Sequence, residues 1–148
     1  MRSDAKEFQK LIKIYLEELR DSTKIALNKL ATLKIPKESR EILFQLLPEQ
    51  LISNRFPVIA LFLNENLNRV FDFEFEKIVL SRDYSLEFIK YEESEEFSYI
   101  NSFTNIFVEW FYKIFLDTEL KKLNLKFSIA LHDSIYSFNL LNREWERD

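Results

Sequence analysis

Not one glycine occurs among the 148 residues of this chain, where average usage of about 7% would supply roughly ten. Glycine lets backbone enter the φ > 0 region or lie close against a ligand. A chain without it has no glycine-rich phosphate loop, no dinucleotide fingerprint and no Gly-x-Ser-x-Gly nucleophile turn. Cysteine is absent as well, and the single histidine is His132. Zinc clusters, thiol nucleophiles and histidine-based triads thereby lose their components. The composition points to a protein that acts through its surface and not through a reaction centre. No catalytic residue, metal or cofactor is expected.

The remaining residues are ample for a packed core. Hydrophobic residues make up 47% of the chain and fifteen are Phe, which argues against disorder. A single α+β domain over residues 1–148 is expected, because no repeat, low-complexity tract or Pro/Gly/Ser linker divides the sequence. The longest mainly apolar run, Ile106 to Leu116, is eleven residues and includes Glu109 and Lys113. A spanning helix needs about twenty apolar residues, so no membrane partner is expected. No apolar stretch of signal-peptide type follows the N-terminal residues, and the lack of cysteine fits the cytoplasm.

The periodicity predicts the order of elements. Apolar residues at Phe8, Leu11, Ile12, Tyr15, Leu19, Ala26, Leu27, Leu30 and Leu33 follow the helical period. They predict a helix from about Ser3 to Leu33, with a break at Asp21-Ser22-Thr23 as the alternative. Pro36 starts a new segment, and a second helix is expected from Lys37 to Leu47. Three strands follow, at Phe56–Leu63, Arg69–Leu80 and Leu86–Tyr91. Asn64-Glu65-Asn66 is the first turn, with Asn taking any left-handed position in place of glycine. Phe97–Leu123 predicts a long helix that is apolar around most of its circumference, hence covered on more than one side. Leu125–Leu131 and Ile135–Leu141 predict a final antiparallel hairpin. The expected arrangement is αα-βββ-α-ββ, with a largely antiparallel sheet packed against helices.

Charge is unevenly spread. The net charge is −4, with ten Lys/Arg against six Asp/Glu in residues 1–40 and eleven against nineteen in the remainder. Asp72, Glu74 and Glu76 stand at two-residue spacing on the second strand, which puts them on one face. They could hold a divalent cation, meet a basic partner, or form a solvated face. Glu92, Glu93, Glu95 and Glu96 add an acidic loop. Lys6, Lys10, Lys13, Arg20 and Lys24 form a basic stripe on the first helix. Glu7, Glu17 and Asp21 each precede a basic residue by three positions, so local ion pairs account for much of that pattern. The stripe has no interleaved aromatics, and nucleic acid is an unlikely partner for so acidic a chain. His132-Asp133-Ser134 has the residue types of a triad, but adjacent residues cannot converge, and the segment reads as a turn. Trp110 and Tyr112 cannot both face the side that Phe107, Phe111 and Phe115 face. They and Trp145 are candidate partner contacts, since exposed aromatic rings are enriched in interfaces.

In layout the chain resembles two non-enzymatic groups. One is the small acidic immunity proteins of bacterial toxin systems. The other is the class I type III secretion chaperones, acidic homodimers with a helix, three strands, a helix, two strands and a last helix. The second likeness runs from about residue 20. It departs where two N-terminal helices replace one, and where Asn142–Asp148 is too short for a helix. The first resemblance implies an inhibitor of the immunity or antitoxin kind. In it Asp72, Glu74, Glu76, Glu92, Glu93, Glu95 and Glu96 would cover a basic site on another protein. The second implies a homodimeric chaperone or assembly factor. A nucleic-acid-associated subunit using the first helix is the remaining reading.

Overall fold

Helix α1, Asp4–Ala31, runs without interruption for 28 residues in a computed structural model of the chain. The structure describes residues 4–33, 35, 37–46, 58–66, 68–74, 99–131 and 136–147. Its apolar stripe is buried at Phe8, Ile12, Tyr15, Leu16, Leu19, Leu27 and Leu30. Thr23 does not break it. The Thr23 hydroxyl donates to the Leu19 carbonyl at 2.7 Å, so the hydroxyl is satisfied inside the helix without a cap.

The segment expected to form a second helix is strand β1, Glu41–Leu46. Its residues alternate, with Ile42, Phe44 and Leu46 fully buried. Glu, Leu and Gln favour helix on propensity alone. The strand is selected because β1 lies at the centre of a sheet and is paired on both sides, which overrides propensity. Strand β2, Val58–Leu63, pairs with it antiparallel, and β3, Arg69–Glu74, pairs antiparallel with β2. These three described strands form an antiparallel meander, in which β2 and β3 stand where the first two strands were expected and β1 is added before them. The expected strand at Leu86–Tyr91 lies outside the described residues, as does the distal part of Arg69–Leu80.

Helix α2, Tyr99–Leu116, carries Phe103, Phe107, Phe111 and Phe115 at four-residue spacing, all fully buried. It ends seven residues before the expected Leu123. Thr118 is extended, with φ −108° and ψ 169°. Its hydroxyl donates to the Phe115 carbonyl at 2.7 Å, and Lys121 Nζ donates to the Leu116 carbonyl at 2.8 Å. Those bonds satisfy carbonyls left open at the helix end. A short 3-10 turn, Glu119–Lys122, follows and is tied to α1 by the Glu119 amide donating to Asn28 Oδ1 at 3.1 Å.

Strands β4 (Lys126–Leu131), β5 (Tyr136–Asn139) and β6 (Glu144–Arg147) complete the sheet. The first two form the expected hairpin. The third was not expected, and it stands where the chaperone layout would have a helix. Among the described residues the sheet has six strands in the order β3-β2-β1-β4-β5-β6. Of these, β1 and β4 pair in parallel and the other neighbours antiparallel. The fold is α+β with a mixed sheet and two long helices among the described residues. Phe44 meets Phe111 with ring centroids 4.9 Å apart, and Phe115 meets Phe127 at 5.1 Å. These contacts seat α2 on the sheet face that buries Ile42, Phe44, Ala60, Phe62, Phe127 and Ile129. Helix α1 packs on α2. No helix of the described residues is long and apolar enough to cross a membrane.

The turns work without glycine. Asn64 does so with its side chain, whose Oδ1 accepts the amides of Asn66 and Asn68 at 2.9 and 3.0 Å. It needs no left-handed backbone. The positive φ among the described residues belongs to Arg143, at 61°, in the turn between β5 and β6. Asn139 Oδ1 accepts the amides of Leu141 and Asn142 at 2.8 and 3.2 Å, and Asn142 Oδ1 accepts that of Glu144 at 3.1 Å. These bonds stabilise a turn in which a non-glycine residue carries a cost of about 1–2 kcal/mol.

Candidate interaction site

Strand register relates the acidic residues across the whole sheet. Asp72 is the backbone partner of Leu61, and Leu61 that of Leu43. Leu43 stands beside Ser128 in the parallel pair, Ser128 opposite Asn139, and Asn139 opposite Glu144. One transverse row thus begins at Asp72 on β3 and ends at Glu144 on β6. Among the described residues the two outermost strands carry carboxyl residues two positions apart, Asp72 and Glu74 on one and Glu144 and Glu146 on the other. Glu76, Glu92, Glu93, Glu95 and Glu96 lie outside the described residues.

Within that row two leucines, Leu61 and Leu43, adjoin two buried polar residues, Ser128 and Asn139. Ser128 is completely buried and donates from Oγ to Glu41 Oε2, on the neighbouring central strand. Beyond it, Glu146 accepts from Asn139 Nδ2 at 3.4 Å and pairs with Lys126 Nζ at 3.0 Å. The Lys126 ammonium holds the Glu146 carboxyl below the usual carboxylate range. Glu144 and Arg147 form no ion pair among the described residues.

Trp145 lies on β6 between the two glutamates and is 49% exposed, while Tyr136, two places from its cross-strand partner Phe138, is 50% exposed. One edge of the indole is held against Phe138, at 5.4 Å between centroids. Trp145 and Tyr136 border a hollow of about 370 Å³, closed by Leu131 and by Asn101, Thr104 and Asn105 of α2. Strand β6 therefore places carboxyl residues at alternate positions on one face of the sheet and an aromatic hollow on the other, the face toward α2.

The structure separates the other two aromatic candidates. Helical residues advance about 100° per position, so Trp110 and Tyr112 lie on opposite flanks of α2. Trp110 borders the groove between α1 and α2. Tyr112 packs edge-on to Phe138, with centroids 6.0 Å apart, beneath the Arg143 guanidinium at 5.4 Å. Arg143 in turn reaches both carboxylate oxygens of Glu109 on α2, at 3.1 and 3.0 Å. Tyr112 is thus a strut for the last hairpin. The basic stripe is solvent-exposed at Lys6, Lys10, Lys13, Arg20 and Lys24. The expected pairs Glu17–Arg20 and Asp21–Lys24 do not form.

His132-Asp133-Ser134 lies outside the described residues. Among the described residues no group of three or more His, Cys, Asp or Glu could hold a metal ion. Sequence reasoning overlooked Tyr136, Glu144 and Glu146. Their signal is faint: an Asn-Arg turn at 142–143 followed by only two periods of alternation. Compared with protein families, with curated proteins and with solved structures, the chain finds no significant match.

Proposed function

We infer that this chain is a non-enzymatic protein-binding domain, an inhibitor of the immunity or antitoxin kind, that covers a basic segment of another protein. The observation that carries the reading is the outer strand β6, where Glu144 and Glu146 flank a half-exposed Trp145 beside an aromatic hollow. An extended segment can add to a strand of this kind through main-chain hydrogen bonds, with alternate side chains supplying specificity. The complementary segment alternates Lys or Arg, opposite the glutamates, with an apolar residue that enters the hollow. Asp72 and Glu74 on β3 extend the same charge preference to the other side of the sheet.

Charge favours this partner over a second copy of the chain. Two copies of β6 joined around a two-fold axis must pair residues of the same face. Centred on Trp145, that register sets Glu144 against Glu146. Centred on Glu146, it sets Glu146 against itself. Like charges directly opposite are destabilising, so self-pairing through this strand is disfavoured.

A short synthetic peptide of alternating Lys and Val tests the reading, followed by Trp145 fluorescence in a Trp110→Phe background. Saturable binding that weakens at least tenfold in a Glu144→Lys, Glu146→Lys double variant supports it, as does weakening with added salt. Equal binding of a peptide of alternating Glu and Val, or no binding of either, overturns it.

A further inference from the structure

A second hollow, unconnected with the acidic strands, lies between the two helices. It has a volume of about 530 Å³ and runs along α1 past Lys13, Leu16, Glu17 and Arg20, facing Ile106, Trp110 and Lys113 of α2. That size is in the range of pockets that hold small molecules, about 300–1,000 Å³. Its floor is apolar: Leu16 is fully buried, and Ile106 and Trp110 are partly buried against the core. Its rim is cationic. Lys13 and Arg20 stand two turns apart on one helix, about 10 Å along the axis, and Lys113 approaches from the other.

Two details distinguish this groove from an ordinary solvated seam. First, its charges are unbalanced. Lys13, Arg20 and Lys113 have no ion-pair partner among the described residues. Of the two carboxylates at the groove, Glu109 is already engaged by Arg143 through both oxygens. Three unpaired cations therefore face one free carboxylate, Glu17, on a protein whose net charge is −4. Second, the indole Nε1 of Trp110 is buried and has no hydrogen-bond acceptor. Leaving a buried donor unpaired is costly, and native structures rarely do so without a reason. A ring stacked on the floor, with an acidic group that accepts from Trp110 Nε1 through one oxygen and meets the rim cations through another, would meet both conditions.

We propose that the groove between α1 and α2 binds a small organic anion: a flat apolar body lying on Leu16, Ile106 and Trp110, with a carboxylate or phosphate held by Arg20, Lys13 and Lys113. Arg20 is the group suited to a planar two-point contact with either head group. The site is independent of the outer strand β6 and can be tested without the protein partner.

The probe is a trio of naphthalene compounds with the same body: naphthoate, naphthyl phosphate and the neutral naphthamide. The readout is the indole N–H resonance of Trp110, assigned by its persistence in Trp145→Phe. The expected result is a saturable shift of the Trp110 resonance by at least one acid below about 1 mM, at least tenfold tighter than by the amide. The tighter acid identifies the head group. The triple variant Lys13→Gln, Arg20→Gln, Lys113→Gln changes only exposed positions. It should keep the fold and lose the preference for acid over amide. The proposal is overturned if the Trp110 resonance does not move, if acid and amide bind alike, or if the triple variant keeps the preference.

Discussion

The two faces of the sheet are built on different terms. On the face toward α2 every described position of the central strands is apolar: Ile42, Phe44 and Leu46 on β1, Phe127 and Ile129 on β4. On the other face the same two strands carry Glu41, Leu43, Gln45, Ser128 and Ala130, β2 adds Leu61 and Leu63, and β5 adds Ser137 and Asn139, all buried or partly so. The first face is held by area, at about 25 cal/mol per Å² of apolar surface removed from water. The second mixes buried leucines with hydrogen bonds such as that of Ser128 to Glu41, each bond modest while made and costly when one partner is lost. Area tolerates redistribution among neighbours; a buried pair does not.

The largest effect should come from the area-held face. Phe111→Ala should cost about 3–5 kcal/mol in urea denaturation, because Phe44 and Phe107 both lose their ring neighbour and α2 cannot collapse into the space. A cost under about 1 kcal/mol would mean that α2 is not seated on the sheet as described. On the mixed face, Glu41→Ala leaves the Ser128 hydroxyl buried without its acceptor, for an expected loss of about 1–3 kcal/mol. The double variant Glu41→Leu, Ser128→Ala removes both partners and should recover most of that loss. If it is no more stable than Glu41→Ala alone, the two faces do not differ in the way proposed.

The β5–β6 turn should respond more weakly. Arg143→Gly accepts the positive φ freely but gives up the exposed contacts to Glu109 and Tyr112, so its melting temperature should barely change. Arg143→Ala loses the same contacts and keeps the backbone cost, so it should be less stable than Arg143→Gly by about 1 kcal/mol. Equal stability would place the cost elsewhere. The smallest effect concerns pH. Glu146 is held below the usual carboxylate range by the hydrogen bond from Lys126. Its contribution to stability is therefore complete above the unfolded carboxylate value near 4.3. It is lost as pH falls through the lower folded value. The pair is exposed, so the loss should be under about 1 kcal/mol. Glu146→Gln should flatten that part of the acid limb of a stability–pH curve, and an unchanged limb would remove the ion pair from consideration.

Some elements were plain in the sequence because their signals are local. The α1 stripe from Phe8 to Leu30 and the four phenylalanines of α2 repeat at the helical period over many turns. The Leu125–Leu131 alternation is a strand signal of the same kind. Segment 41–46 misled because six residues hold too few periods to separate helix from strand, and Glu, Leu and Gln lean toward helix. Of the candidate contacts, Trp145 stands on an open strand, whereas Tyr112 is occupied within the fold, and residue type could not separate those roles. The groove between the helices was half visible, as a basic stripe on α1. Its other wall, Ile106, Trp110 and Lys113, is about ninety residues away along the chain.

By itself the sequence determined the two long helices, the α+β class, and the absence of glycine, cysteine and all but one histidine, because periodicity and residue chemistry act within a few neighbours. Tertiary structure decided that Glu41–Leu46 is a central strand, that Glu144–Arg147 is an outer one, and that Arg143 takes the left-handed turn. The central strand depends on a partner from far along the chain, β4, which only the assembled sheet brings within hydrogen-bonding distance; the last hairpin and its turn are local but too short for periodicity to reveal.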